Sequence, residues 1–293
     1  MRQLRLLLLA FFVVVAVIFS VSYVKERLSN DEREPIIRAE EDVIEVPLTA
    51  TDEDLMVGMT ARDNLDGDVT DTLVVVSKSK LIGPGTIRVN YAAFDKNNNV
   101  GTYTRSVVYQ GYVSPQFRLT EPLRYLKGSS NYDFLEHVTA EDCLDGDITR
   151  QVKISTGDKR AVSDSVTEQT VNLQVTNSAG DTSELELTVT MEDYTTYNRS
   201  VPALSGYVIY VSRGGSLDLR ALMSGIWAGG RTRSFSETAY GPENVRVSQD
   251  SLDLNTPGVY RVNYDLYETY DEYAEEYYDY VGTTTLIVVV RED

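Results

Sequence analysis

The chain has 293 residues and a formal net charge of −18, from 45 acidic and 27 basic side chains. A field of this sign repels nucleic acid, so DNA and RNA binding are excluded, whereas cations and basic partners are favoured. Cys143 is the only cysteine and His137 the only histidine, which excludes an internal disulfide and a histidine-rich metal cluster.

The N-terminus carries an apolar segment, residues 6–24, directly after Arg2 and Arg5. At about 1.5 Å per residue, a helix of this length comes close to the ~30 Å hydrocarbon core of a bilayer. The preceding arginines favour an N-terminus left in the cytoplasm. The sequence therefore predicts a cytoplasmic tip and membrane anchor over residues 1–24, with a cleaved signal peptide as the alternative. The charge-dense residues 25–41 are predicted to form a stalk.

Beyond the stalk, β-branched and aromatic residues alternate with polar ones in short runs that end at Gly, Asn, Asp or Ser. The clearest runs lie at residues 86–91, 171–176, 185–190, 259–264 and 283–290. Alternation with a period of two buries one face of each strand and exposes the other to water, as in a β-sandwich.

An internal repeat is visible in the same region. Residues 60–70 (TARDNLDGDVT) match residues 139–149 (TAEDCLDGDIT), and residues 87–91 resemble residues 260–264. A repeat of roughly 80–90 residues suits one small sandwich. We predict an all-β chain in which one N-terminal transmembrane helix precedes three tandem Ig-like sandwiches. Their predicted bounds are residues 42–112, 116–193 and 201–293.

These motifs resemble the bacterial Ig-like domain first described in a pesticidal crystal protein. Units of that family combine T-A-x-D-x-x-D-G-D-[IV]-T with a later G-x-Y-x-V-x-Y-x-A-x-D. The first repeat matches the first part at residues 60–70 and the second part at residues 85–95, except that Ile87 stands where the family has Tyr. The second repeat keeps the first part at residues 139–149. The third keeps only residues 258–264 and has Trp227 near the place of the acidic turn. The resemblance implies a bacterial surface protein that acts as a spacer, adhesive stalk or wall-associated unit.

Two acidic turns are candidate calcium sites, because each crowds three carboxylates into six residues and calcium binds six to eight hard oxygens. The candidate ligands are Asp63, Asp66 and Asp68 in the first repeat, and Asp142, Asp145 and Asp147 in the second. The alternative is a plain strand connection, since Asp-Gly is a favoured turn dipeptide. Gly67 and Gly146 are expected to adopt a positive φ there.

A tyrosine-rich and acidic stretch, residues 264–280, is the second candidate site. Tyrosine offers a large contact area at low entropic cost, so the stretch suits a basic protein or a glycan. The candidate binding residues are Tyr267, Tyr270, Tyr273, Tyr277 and Tyr280, together with Trp227. The alternatives are a long hairpin or a short helix whose rings pack on its own sheet, and a Trp227 that is partly buried.

We therefore expect a non-enzymatic bacterial cell-surface or envelope protein with an extracellular C-terminal region, serving adhesion, spacing or ligand presentation. The alternative is a carbohydrate- or cell-wall-binding protein that uses the tyrosine-rich third module. A hydrolase or hydrolase accessory that uses paired carboxylates is a more distant class.

Overall fold

The computed structural model describes residues 2–29, 32–129, 133 and 135–292. It divides into two compact units, Met1–Tyr112 and Val113–Asp293. The described residues form mainly β-strands in face-to-face sheets, with few helices. The predicted all-β sandwich class is confirmed.

The first unit starts with helix α1, Arg2–Ser29. Large apolar side chains along it are exposed, from Leu8 at 61% to Val24 at 52%. Within the described residues, no helix meets the combined demands of length and apolar character for crossing a membrane.

The first sandwich begins earlier than the sequence suggested. Strand β1, Ile36–Ala39, lies within the predicted stalk but pairs antiparallel with β3. Its burial alternates, because Ile37 faces the core at 6% exposure while Ile36 is 62% exposed. The boundary predicted at residue 42 is therefore corrected to the start of β1.

Unit one forms one sandwich of two sheets, with the strand orders β1-β3-β4 and β2-β7-β6-β5. Strand β2 is parallel to β7, and the other pairs are antiparallel. The remaining elements are β2 Val43–Pro47, α2 Asp52–Leu55, β3 Met59–Asp63, β4 Gly67–Asp68, β5 Val74–Lys78, β6 Thr86–Phe94 and β7 Val100–Gln110.

Unit two repeats this pattern of one three-stranded and one four-stranded sheet twice in its described residues. The first pair has the strand orders β8-β10-β11 and β12-β13-β14-β9, and the second pair has β15-β17-β18 and β16-β21-β20-β19. Each set again has one parallel pair, β9 with β14 and β16 with β21. Its elements are β8 Gln116–Leu119, β9 Arg124–Leu126, β10 Val138–Asp142, β11 Gly146–Asp147, β12 Lys153–Ala161, β13 Val166–Thr176, β14 Thr182–Glu192, α3 Tyr194–Tyr197, β15 Val201–Leu204, β16 Val208–Ser212, β17 Met223–Ala228, β18 Arg231–Arg233, β19 Val245–Ser248, β20 Gly258–Asp271 and β21 Glu276–Arg291.

The two pairs of sheets in unit two, which we call its two sandwiches, share one buried apolar cluster that extends from Phe117 to Val290. Two backbone groups of β8 tie them together. Phe117 N donates to the Tyr210 hydroxyl at 2.9 Å, and Tyr207 N donates to Leu119 O at 2.9 Å. These two sandwiches therefore form one packed body instead of two independently packed ones.

The repeated motif at residues 87–91 and 260–264 ends on a buried tyrosine in each case. The Tyr91 hydroxyl donates to Leu55 O at 2.8 Å, and the Tyr264 hydroxyl donates to Leu219 O at 2.7 Å. Burial raises the pKa of Tyr264 to about 12. The buried phenol donates to a backbone carbonyl that is closed off from water, so neither polar group is left unsatisfied.

Candidate functional site

The first acidic turn joins β3 to β4 through local hydrogen bonds. Oδ1 of Asp63 accepts from Leu65 N and from Asp66 N, both at 2.8 Å. Gly67 follows with a φ of 79°, and its counterpart Gly146 has a φ of 72°. Both glycines therefore adopt the left-handed conformation that the sequence predicted, which other residues rarely adopt.

Three carboxylates meet at this turn. One oxygen from each of Asp63, Asp66 and Asp95 lies within 4.8 Å of the others. Asp63 and Asp95 are buried, at 8% and 7% exposure. Asp66 is held by Lys96, whose Nζ lies 2.8 Å from Oδ1 and whose backbone N donates to Oδ2 at 2.8 Å. These contacts lower the pKa of Asp66, so it stays ionised at neutral pH.

Sequence reasoning missed Asp95 as a candidate ligand. It lies just beyond the end of β6, in the turn before β7, where Oδ1 accepts from Asn99 N at 2.7 Å and Oδ2 accepts from Asn99 Nδ2 at 2.7 Å. The available signal was the final Asp of the G-x-Y-x-V-x-Y-x-A-x-D motif. That signal is about thirty positions away from the acidic turn, and only folding brings the two turns together.

The second acidic turn has an amide where the first has its third carboxylate. Asn177 follows β13 as Asp95 follows β6, and its Nδ2 donates to Asp142 Oδ2 at 3.0 Å. Asp145 accepts from the hydroxyl and the backbone N of Ser178, both at 2.6 Å. Within the described residues, the second turn has no group of three acids whose ligand atoms converge.

Asp68 and Asp147, the last predicted ligand of each turn, also lie outside the acid group. The exposed carboxylates of Asp68 and Asp147 accept from Thr70 N at 3.0 Å and from Thr149 N at 2.9 Å. Hydrogen bonds from these threonines lower the pKa of both acids. Each of these acids therefore makes a local turn contact with the residue two positions later.

Calcium binding stays a prediction, with the ligand set revised to Asp63, Asp66 and Asp95. Calcium at about 5 mM should stabilise unit one by roughly 1–2 kcal/mol, as expected for a site with a dissociation constant near 10⁻⁴–10⁻³ M. Asp95→Asn, which copies Asn177, should abolish the effect. Calorimetry of the full chain in detergent, with calcium or with a chelator, measures it.

The matched control for calcium is Asp147→Asn, which neutralises an acid of the second turn and should leave the response intact. A wild-type chain whose melting temperature ignores calcium would contradict the prediction. So would a response that persists in Asp95→Asn.

The tyrosine-rich stretch is the end of a long hairpin, formed by β20 and β21. Strand β19 pairs with β20 only as far as Leu266, and β16 pairs with β21 only from Ile287 onward. Residues 267–280, which we call the tyrosine hairpin, pair only with each other in the described sheets, from Tyr267 opposite Tyr280 to Asp271 opposite Glu276. The structure thus has a hairpin here and not the alternative helix.

The rings of the tyrosine hairpin contact one another along the ribbon. The Tyr277 ring lies 4.7 Å from the Tyr270 ring and 5.1 Å from the Tyr267 ring, measured between centroids. The Tyr280 ring lies 5.8 Å from that of Tyr267. Tyr273 stands apart in the turn and is fully exposed. Four of the five predicted binding tyrosines therefore form one aromatic strip, and the fifth lies at its tip.

The acids of the tyrosine hairpin have no counter-charge within it. The segment contains no lysine or arginine, and none of the ion pairs between described residues involves its acids. The six acids are Glu268, Asp271, Glu272, Glu275, Glu276 and Asp279. The hairpin is therefore a strongly negative and aromatic surface.

Trp227 does not belong to this surface. It lies on β17 and is only 2% exposed. Its ring packs edge-on against the Tyr197 ring at 5.4 Å, and the Arg124 guanidinium lies 4.7 Å from its centroid. A buried ring cannot stack on a sugar at the surface, so the structure gives Trp227 a packing role.

Comparison with known proteins gives weak likenesses only. No family model and no curated protein matches the chain. Among solved structures, CBM51-2 with GlcNAc and INT domains from Clostridium perfringens ZmpB matches at 18% identity and a TM-score of 0.22, covering 52% of this chain and 26% of that one. Human CDH23 EC21–23 matches at 15% identity and a TM-score of 0.20, over 88% and 100% of the two chains.

The extracellular domain of protocadherin GammaB4 matches at 10% identity and a TM-score of 0.19, over 89% of this chain and 50% of that one. This chain covers 26% and 31% of the length of two matching ZmpB structures. Scores this low carry no argument about function, so the case for a function depends on the chain's own residues.

Proposed function

We propose that the chain is a non-catalytic bacterial protein of the cell surface or envelope that serves adhesion, spacing or ligand presentation. The observation that carries this proposal is the tyrosine hairpin, which continues beyond the strands that flank its base. The tandem sandwiches act as the spacer, and the tyrosine hairpin is the contact surface.

The chemistry of the tyrosine hairpin supports a binding role. Tyrosine rings expose a large, rigid and amphipathic area, and little side-chain entropy is lost when they are covered. Tyr273 is fully exposed and Tyr280 is 56% exposed, so both rings are accessible to a partner. A shared core holds the base of the hairpin in place, since Leu266 and Leu286 beside it are fully buried.

Carbohydrate or cell-wall binding is the second candidate function. Its support is the exposed ring surface of Tyr273 and Tyr280, because aromatic faces stack on the apolar faces of sugars. A glycan would use these rings with little help from the six carboxylates, whereas a basic partner would use both.

Removal of the tyrosine hairpin tests the proposed function. Residues 268–279 are replaced by Asn-Gly, a two-residue turn suited to joining the facing Tyr267 and Tyr280. We expect the variant to fold and to lose attachment to cells, wall fragments and arrayed glycans. Tyr194→Ala removes a tyrosine that is 73% exposed on α3 and should leave attachment unchanged. Full attachment by the shortened chain would refute the assignment of the surface.

We also propose that residues 6–24 of α1 hold the chain at a membrane, with a cleaved signal peptide as the alternative. The exposed apolar side chains of α1, such as Phe11 and Phe12, support this anchor. Cell fractionation of the full chain and of a variant without residues 2–24, with mass spectrometry of the mature N-terminus, separates the two possibilities.

A further inference from the structure

We propose that the partner of the tyrosine hairpin is an extended, arginine-rich segment of another polypeptide. This inference rests on the proposed function and names the class of ligand for the same surface. It follows from the charge, the rings and the free strand edge of residues 267–280.

Charge favours a basic partner at both long and short range. The chain as a whole has a net charge of −18, and the tyrosine hairpin has six acids and no base. Such a field steers a cationic segment toward the surface and raises its association rate. It also repels a second copy of the chain, so self-association through this surface is disfavoured.

The rings select arginine over lysine. The strip formed by Tyr267, Tyr270 and Tyr277 has centroid spacings of 4.7–5.1 Å, and acids of the same ribbon flank it. A guanidinium stacks on an aromatic face and also donates two parallel hydrogen bonds to a carboxylate. An ammonium is more strongly hydrated and lacks the planar fork, so it gains less from the same surface.

The free backbone edge favours an extended segment. In the described pairing, no strand lies beside β21 over residues 276–280, since β16 begins its pairing at Ile287. The opposite edge is partly covered, because Asn244 Nδ2 donates to Glu268 O at 3.0 Å. A partner in extended conformation can therefore add to the β21 edge by main-chain hydrogen bonds, while its alternate side chains reach the rings and carboxylates.

The probes are fluorescent nona-arginine and nona-lysine peptides, titrated against the full chain in detergent at physiological salt. We expect nona-arginine to bind about tenfold tighter than nona-lysine. The two peptides carry the same charge, so the difference measures the stacking of guanidinium groups on the tyrosine rings. Glu268→Gln with Glu272→Gln should weaken the binding of both peptides. Tyr270→Ala with Tyr273→Ala should instead remove most of the preference for arginine.

Matched controls lie elsewhere on unit two. Tyr194→Ala and the pair Glu136→Gln with Asp250→Asn change exposed tyrosine and acid side chains outside the tyrosine hairpin, and should leave both affinities unchanged. Equal binding of the two peptides, or binding that ignores the hairpin substitutions, would overturn the proposal.

The failure of this inference can be told apart from that of the proposed function. If neither peptide binds while the Asn-Gly replacement of residues 268–279 still abolishes attachment to cells or glycans, the partner is not arginine-rich but the contact surface stands. If neither peptide binds and the Asn-Gly replacement leaves attachment intact, both the arginine-rich partner and the assignment of the hairpin as contact surface are wrong. Concentration-dependent self-association through the hairpin would likewise overturn the arginine-rich partner.

Discussion

Replacement of Arg124 by alanine is expected to lower the free energy of unfolding of unit two by about 3–5 kcal/mol. Nη2 of Arg124 lies 2.6 Å from Glu192 Oε2, and Nε donates to the same oxygen at 3.0 Å. The two side chains are only 10% and 8% exposed. Without the guanidinium, Glu192 is left as a buried carboxylate with no ionic partner, which is the costly outcome.

The same arginine also connects the two sandwiches of unit two. It lies on β9, donates to Thr196 O in α3 at 2.9 Å, and stacks over Trp227 of β17. Its loss should therefore weaken the contact between the sandwiches as well as the local ion pair. A broadened or split urea transition in Arg124→Ala would show that the shared core no longer unfolds as one.

An exposed ion pair in the same unit supplies the control for Arg124. Arg118 and Glu141 lie 2.8 Å apart, but their side chains are 64% and 51% exposed. Arg118→Ala should lower the free energy of unfolding by no more than about 1 kcal/mol, because solvent screens exposed ion pairs. Equal losses for the two variants would show that burial of the Arg124 pair has no energetic role. Arg124→Met with Glu192→Leu should recover much of the stability.

Truncation of Trp227 to alanine is the second large effect. We expect it to lower the free energy of unfolding by about 3–5 kcal/mol. The ring is 2% exposed and contacts both Tyr197 and Arg124, so its removal opens a cavity between β17, α3 and β9. Attachment through the tyrosine hairpin should survive at temperatures where the variant is folded, because Trp227 is not part of that surface. Calorimetry and the attachment assay together measure the two outcomes.

Trp227→Phe sharpens this second prediction. The indole Nε1 is buried and has no hydrogen-bond acceptor among the described residues. Phenylalanine removes that unsatisfied donor and still places a ring in the cavity. Trp227→Phe should therefore lower the free energy of unfolding clearly less than Trp227→Ala does. A phenylalanine variant as unstable as the alanine variant would contradict the packing role, as would a loss of attachment without a loss of stability.

Much of the architecture was predictable because it depends on local patterns. Alternation of apolar and polar residues predicts strands such as β6 and β13, since a pleated strand places successive side chains on opposite faces. The DGD motifs predict tight turns with Gly67 and Gly146 at positive φ. The repeat of residues 60–70 at 139–149 indicates that the same local structure occurs twice.

The sequence by itself determined the all-β class, the turn conformations and the acidic, aromatic composition of residues 264–280, because each depends on neighbours along the chain. Only the tertiary structure decided which distant residues meet. It places Asp95 beside the first acidic turn and Asn177 beside the second, and it buries Trp227 beneath Arg124. It also extended the tyrosine stretch as a ribbon, because ring contacts across two strands replaced the helical spacing that the sequence equally allowed.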